Sequence, residues 1–176
     1  MTYPVNITRV SLNHRGGTKS YHVYLVETAG GQAVFISRWG KTGQFGDLKV
    51  EIGTPKKMAS AYDSKLRQKR NGGYEAAAPQ RVDAAGDWSG VVSILTPALV
   101  AKMGKEAIEA IDPAIDTSSI PSARPARLDE EGRLTGDDAP RGVDPRSFAE
   151  AQERAKREAQ EKERQAYAND PMYGAF

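Results

Sequence analysis

The first part of the chain alternates apolar and polar residues with a period of two, the signature of half-buried strands. Val5-Asn6-Ile7-Thr8-Arg9-Val10 is the first such run. A turn-like His14-Arg15-Gly16-Gly17-Thr18 separates it from residues 20–26 (SYHVYLV), whose aromatic and β-branched side chains suit a pleated surface. Ala29-Gly30-Gly31-Gln32 signals a hairpin. Residues 33–39 (AVFISRW) form the next predicted strand, with Val34, Ile36 and Arg38 on one face and Phe35, Ser37 and Trp39 on the other. Past a glycine loop, residues 47–52 (DLKVEI) alternate again: Leu48, Val50 and Ile52 point inward, Lys49 and Glu51 toward water.

The period then changes to that of a helix. Thr54-Pro55 is an N-cap followed by proline at the first helical position. Met58, Ala61, Tyr62, Lys65 and Leu66 share one helical face, the Lys65 stem lying along it with its ammonium in water. Arg67, Lys69 and Arg70 load the last turn, where the helix dipole favours cations. Asn71-Gly72-Gly73 ends the helix, with Gly72 expected as its left-handed cap, and Tyr74 closes the unit. An antiparallel sheet of about four strands with one helix on a face, an α+β class, buries this apolar set.

After Tyr74 the pattern weakens. Residues 75–86 are rich in Ala, Pro and Gly and read as a linker. Residues 88–95 (WSGVVSIL) are a short apolar run. Thr96-Pro97 opens a helix whose stripe is Leu99, Val100, Met103, Ala107, Ile108 and Ile111, ending near Asp112-Pro113. Gly104 weakens that helix by up to about 1 kcal/mol. Too short to fold alone, this docking helix needs the head, a second copy or a partner to cover it, and the sequence does not choose. Residues 113–144 hold many prolines and charges and read as extended or disordered. A charged helix over about 145–168 follows, with Glu-first pairs four residues apart such as Glu150–Arg154 and Glu158–Lys162 and no sustained heptad. Residues 169–176 form a flexible terminus whose Met172, Tyr173 and Phe176 are a weak candidate docking peptide.

Charge changes this picture more than composition does. Residues 1–74 hold 12 Lys and Arg against 4 Asp and Glu, a net +8; residues 75–176 hold 13 against 19, a net −6. A basic head with an acidic tail predicts a polyanion-binding module joined to something that binds no polyanion. The absence of cysteine excludes a disulfide framework, a thiolate metal site and a cysteine nucleophile. His14 and His22 have no carboxylate cluster at ligand spacing. Asp129-Glu130-Glu131 with Asp137-Asp138 reads as a solvated loop rather than a cation site. No nucleophile–base pair, phosphate-cradling loop or dinucleotide fingerprint is present, so no enzyme and no cofactor is expected. The start of the chain lacks a secretory signal pattern and no apolar run approaches a membrane span; a cytoplasmic location, nucleoid-associated or within an infected cell, is expected.

The chemistry concentrates in Trp39-Gly40-Lys41-Thr42-Gly43, followed by Gly46. Glycines permit a tight, closely approachable loop, and an exposed indole beside an ammonium can stack on a sugar or base while the cation meets phosphate. The plainer alternative is a hairpin with a core Trp and a solvated Lys.

Residues 19–74 resemble a WGR domain. The resemblance rests on KSYHVYLVE, RWGKTGQFGDLKVE, the helix TPKKMASAYDSKLRQKRNGGY and the closing Gly73-Tyr74. It implies a small antiparallel sheet crossed by a helix, and DNA binding, as in DNA-damage-dependent ADP-ribosyltransferases and in bacterial and phage WGR proteins. Trp39 would then stack, Lys41 would approach the strand, Gly40 and Gly43 would shape the loop, and Lys49 would lie beside it; Arg38, Lys56 and Lys57 complete the expected DNA-binding set. The third motif position is Lys rather than Arg, which keeps phosphate attraction but loses a bidentate fork. No ADP-ribosyltransferase domain is expected in the tail. The sequence thus points to a non-enzymatic DNA-binding accessory protein, gripping ends, nicks or single strands, whose acidic tail recruits a protein partner or inhibits binding. The alternative is a structural component of a phage or multiprotein assembly that uses the same fold as a docking surface.

Overall fold

The computed structural model describes residues 2–124, 128–130 and 133. Contacts divide the chain into Met1–Asp138 and Ala139–Phe176. The second unit, with the expected charged helix and with Met172, Tyr173 and Phe176, lies outside the described residues.

Six strands form one antiparallel sheet: β1 (Val5–His14), β2 (Lys19–Thr28), β3 (Ala33–Lys41), β4 (Asp47–Gly53), β5 (Tyr74–Ala76) and β6 (Arg81–Ala85). The order is β4-β3-β2-β1, and β5 and β6 share the far side of β1. β5 pairs with its C-terminal end, Leu12 to His14, and β6 with its N-terminal half, Val5 to Arg9. Residues 75–86, which their composition marks as a linker, thus supply most of two edge strands. Their Ala and Gly content misleads because pairing with β1, not side-chain burial, holds them: Arg81 and Val82 remain exposed.

Alternation divides the sheet's side chains between two cores, making three layers. On one face Val10, Leu12, Tyr21, Val23, Leu25, Ala33, Phe35 and Trp39 meet Met58, Tyr62 and Leu66 of α1 (Pro55–Asn71). Thr54 caps α1, its Oγ1 accepting from the Lys57 amide at 3.4 Å. At the other end Gly72 keeps a negative φ of −83°, and Gly73, at φ +84°, is the left-handed residue instead. The Gly73 amide donates to Arg70 O and its carbonyl accepts from Arg15, so the chain leaves the helix directly into β5.

On the opposite face Val5, Ile7, Val26, Val34, Ile36 and Leu48 pack under α2 (Trp88–Leu95), α3 (Pro97–Met103) and α4 (Lys105–Ile111). The helix expected from Thr96 to Asp112 is broken at Gly104, whose φ of +86° leaves the helical region. A Cβ there would sit 2.2 Å from the Ala123 amide, so the break also seats the returning chain. The helices' stripe, Val91, Leu95, Leu99, Met103, Ile108 and Ile111, is fully buried on the sheet, and the head itself is what covers it. Residues 113–124, expected to be extended or disordered, fold back on this layer: Ile115 and Ile120 pack on the core and Thr117 Oγ1 bonds Glu109. Ile52, expected inward, is 40% exposed near the end of the edge strand β4.

Candidate nucleic-acid interface

The β2–β3 register places Tyr21 opposite Trp39, Ser20 opposite Gly40 and Lys19 opposite Lys41. Like charges directly across a ladder repel, so Lys19–Lys41 concentrates positive potential at a stability cost. Both lysines are exposed, and neither makes an ion pair among the described residues.

The loop after β3 is shaped by two glycines that touch. A Cβ on Gly40 would lie 2.8 Å from Gly46 Cα, and one on Gly46 only 2.0 Å from the Trp39 carbonyl oxygen. Gly43 makes the turn at φ +85°. Between them Phe45 tucks toward the helical layer, with the Lys102 ammonium 4.0 Å and the Arg38 guanidinium 4.9 Å from its ring centroid. Those cation–π contacts tie the loop to α3.

Trp39 does not project freely, contrary to the expectation of an exposed indole. It is 9% exposed and lies stacked on Tyr21 at 6.1 Å between centroids, on the face that carries α1. Alternation from Phe35 places it there, and residues 128–130 cover it: the indole Nε1–H donates to the Asp129 carbonyl at 3.2 Å. Its remaining surface still lines a cavity of about 360 Å³ bounded by Lys19, Gly40, Lys41, Tyr74 and Glu130.

Behind that cavity Glu130 meets a cationic cluster. Its Oε1 accepts from Tyr21 Oη at 2.8 Å and from Lys65 Nζ at 2.9 Å, while its Oε2 pairs with Lys69 Nζ. Lys69 is 8% exposed and its ammonium lies 4.5 Å from the Tyr21 ring centroid and 5.7 Å from that of Tyr74. Burial opposes ionisation of Glu130, but hydrogen bonds from Lys69, Lys65 and Tyr21 hold its carboxyl below the usual carboxylate range. Burial, reinforced by the Glu130 charge, pushes the Tyr21 hydroxyl well up, so it stays a donor. Lys65 therefore ends on a carboxylate rather than in water, and Glu130, expected in a solvated acidic loop, has a side chain only 16% exposed.

Of the residues singled out from sequence, the structure brings Trp39, Gly40 and Lys41 to the cavity, with Gly43 in the adjoining turn. Arg38 lies on the opposite sheet face beside Phe45, where strand alternation must send it. Lys49 shares the Trp39 face but pairs with Glu51 at 3.0 Å. Lys56 and Lys57 stand at the start of α1, next to Gly53, which pairs with Ala33 at the far end of β3. The expected DNA-binding set omits Lys19, Tyr21, Lys69, Tyr74 and Glu130, Lys69 being read from sequence only as a cation of the last helical turn. The available signal was Lys69 itself: seven residues after Tyr62 and three after Leu66, it belongs to the buried stripe of α1.

No three His, Asp or Glu side chains converge as metal ligands among the described residues, and no described helix is long and apolar enough to cross a membrane. No curated protein and no solved structure matches the chain. A family model does match: the WGR domain, over residues 5–81. That span takes in β1 and β5 and the first residue of β6, beyond the 19–74 expected from motifs, because the flanking strands complete the sheet without carrying signature residues. Residues 5–81 of this chain are a WGR domain, a nucleic-acid-binding domain.

Proposed function

We propose that this chain is a non-enzymatic DNA-binding accessory protein that engages the sugar-phosphate backbone at the Lys19–Lys41 mouth of the Trp39 cavity. The observation that carries the reading is the cross-strand lysine pair, exposed at the rim of a cavity floored by an indole. Ammonium groups supply attraction without base readout, and the largely covered ring leaves only an edge open to the cavity. The net +8 of the first 74 residues supports the same partner. With Lys41 at the third motif position, the reading is of general backbone binding, to ends, nicks or single strands, rather than bidentate recognition. The acidic remainder of the chain restrains this contact or carries a protein partner.

The test is a salt series on labelled single-stranded, blunt, nicked and gapped DNA. Reversing both rim lysines, Lys19→Glu with Lys41→Glu, should weaken binding by about tenfold or more at low salt and flatten the salt slope, since each phosphate contact contributes about 0.7–0.9 to it. Reversing Lys56 and Lys57 should do less. Equal losses from both pairs would mean that binding is spread over the surface and would remove the site.

A further inference from the structure

Tyr21, Lys65 and Lys69 surround one acidic group with donors on several sides, and that group comes from a segment remote in sequence. Tyr21 and Glu130 are 109 positions apart in sequence, yet the hydroxyl reaches the carboxylate at 2.8 Å. A local turn presents that carboxylate. The Asp129 amide donates to Arg133 O, and the Arg133 amide donates to Asp129 Oδ1, each at 2.7 Å, which holds Glu130 inward. Leu128 and Asp129 form one wall of the cavity, and the Asp129 backbone carbonyl accepts a hydrogen bond from the Trp39 indole N–H. One short stretch therefore covers both the aromatic floor and the cations behind it.

A nearly buried ammonium such as Lys69 is costly without an anion. Whatever displaces Glu130 must bring at least two acceptor oxygens and a negative charge to the same point. A phosphodiester group of a nucleic-acid strand does so, its two non-bridging oxygens and single negative charge matching those of a carboxylate. We infer that Tyr21, Lys65 and Lys69 form a phosphate site for the bound strand, and that Glu130 occupies it as an internal competitor which nucleic acid must displace to lie against Trp39. The inference rests on the nucleic-acid reading above and adds to it a second anion site and its regulation by the chain's own residues 128–130.

The experiment uses the full chain and a labelled single-stranded oligonucleotide across a salt series. Glu130→Gln keeps the shape and removes the charge; it should tighten binding several-fold at low salt and steepen the dependence of log K on log salt by about one unit, the release expected for one more phosphate contact. Glu130→Gln combined with Lys65→Met should lose that gain. In a Trp88→Phe background, Glu130→Gln should also make the remaining indole more accessible to acrylamide. If Glu130→Gln proves too unstable to assay, Glu130→Asp retains the charge but draws it back by one methylene, and should give a smaller gain of the same sign.

Unchanged affinity, slope and quenching in these variants, with Lys19→Glu/Lys41→Glu still weakening binding, would overturn the internal competitor and leave the nucleic-acid reading standing. If no variant binds any oligonucleotide, that reading fails, and inorganic phosphate decides the site alone. Phosphate should then raise the melting temperature of Glu130→Gln, at matched ionic strength against chloride, more than that of the unaltered protein. Equal shifts would remove the site as well.

Discussion

At the scale of single residues, close approach of two backbones sets the shape of the Trp39 loop. Gly46 adopts φ +71° with the Trp39 carbonyl where a Cβ would sit, whereas Gly43, at φ +85°, faces open space. Gly43→Ala should therefore cost only the left-handed penalty, about 1–2 kcal/mol. Gly46→Ala should cost more, because the strand itself must move. Urea unfolding of both variants checks the order; equal costs would mean that the loop relaxes freely around Gly46. Motif reasoning identified these glycines as loop-shaping, but it could not say which one a neighbouring backbone would constrain. The same limit applies to Trp39. Alternation placed it on the Phe35 face, yet its cover comes from residues 128–130, and no local pattern encodes that contact.

At the scale of elements, the sheet is sandwiched. The strand alternation and the α1 stripe were legible because each is a local period. The fate of the second stripe was not, since Leu95, Leu99 and Ile108 would look the same against a partner as against this sheet. Their burial on Val5, Ile7, Val26 and Val34 makes the helices part of the head's own core. Leu95→Ala should then lower the stability of the whole domain by about 2–5 kcal/mol, the usual cost of a buried cavity. Circular dichroism of strand and helix signals should show one shared, lowered transition. An unmoved strand transition would mean that α2–α4 unfold separately. The broken α3–α4 boundary follows from Gly104, whose positive φ no alanine-like residue adopts cheaply. Its cost in a continuous helix was readable from sequence; the seat it makes for Ala123 was not.

At the scale of the whole molecule, the half-buried His22 links fold stability to pH. Its Nδ1 lies 2.8 Å from Ser11 Oγ, on the helical-layer face beside Arg38. Burial first, and then the Arg38 charge, push its pKa down from 6.5 to about 4. Between those values the unfolded chain binds a proton that the folded chain does not. Stability contributed by neutral His22 is complete above about pH 6.5 and is lost as the pH falls toward about 4. Thermal melts from pH 7 to 4 should show a shallower acid-side decline for His22→Gln than for the unaltered protein. Parallel declines would place the acid sensitivity elsewhere, for instance in Glu130, whose paired carboxylate is stabilising only while it stays ionised.

Sequence by itself determined the first four strands, the first helix and the WGR character, because periodicity, caps and signature spacing are properties of neighbours along the chain. It also determined the contrast of charge between head and remainder. Tertiary structure alone decided which lysines act together. Registry sets Lys19 against Lys41, and the path of α1 carries Lys65 and Lys69 to the Trp39 end of the sheet while leaving Lys56 and Lys57 at the other. It alone brought Glu130 back across 109 residues to Tyr21. Coulombic and hydrogen-bonding contacts depend on distance in space, which a linear pattern does not record.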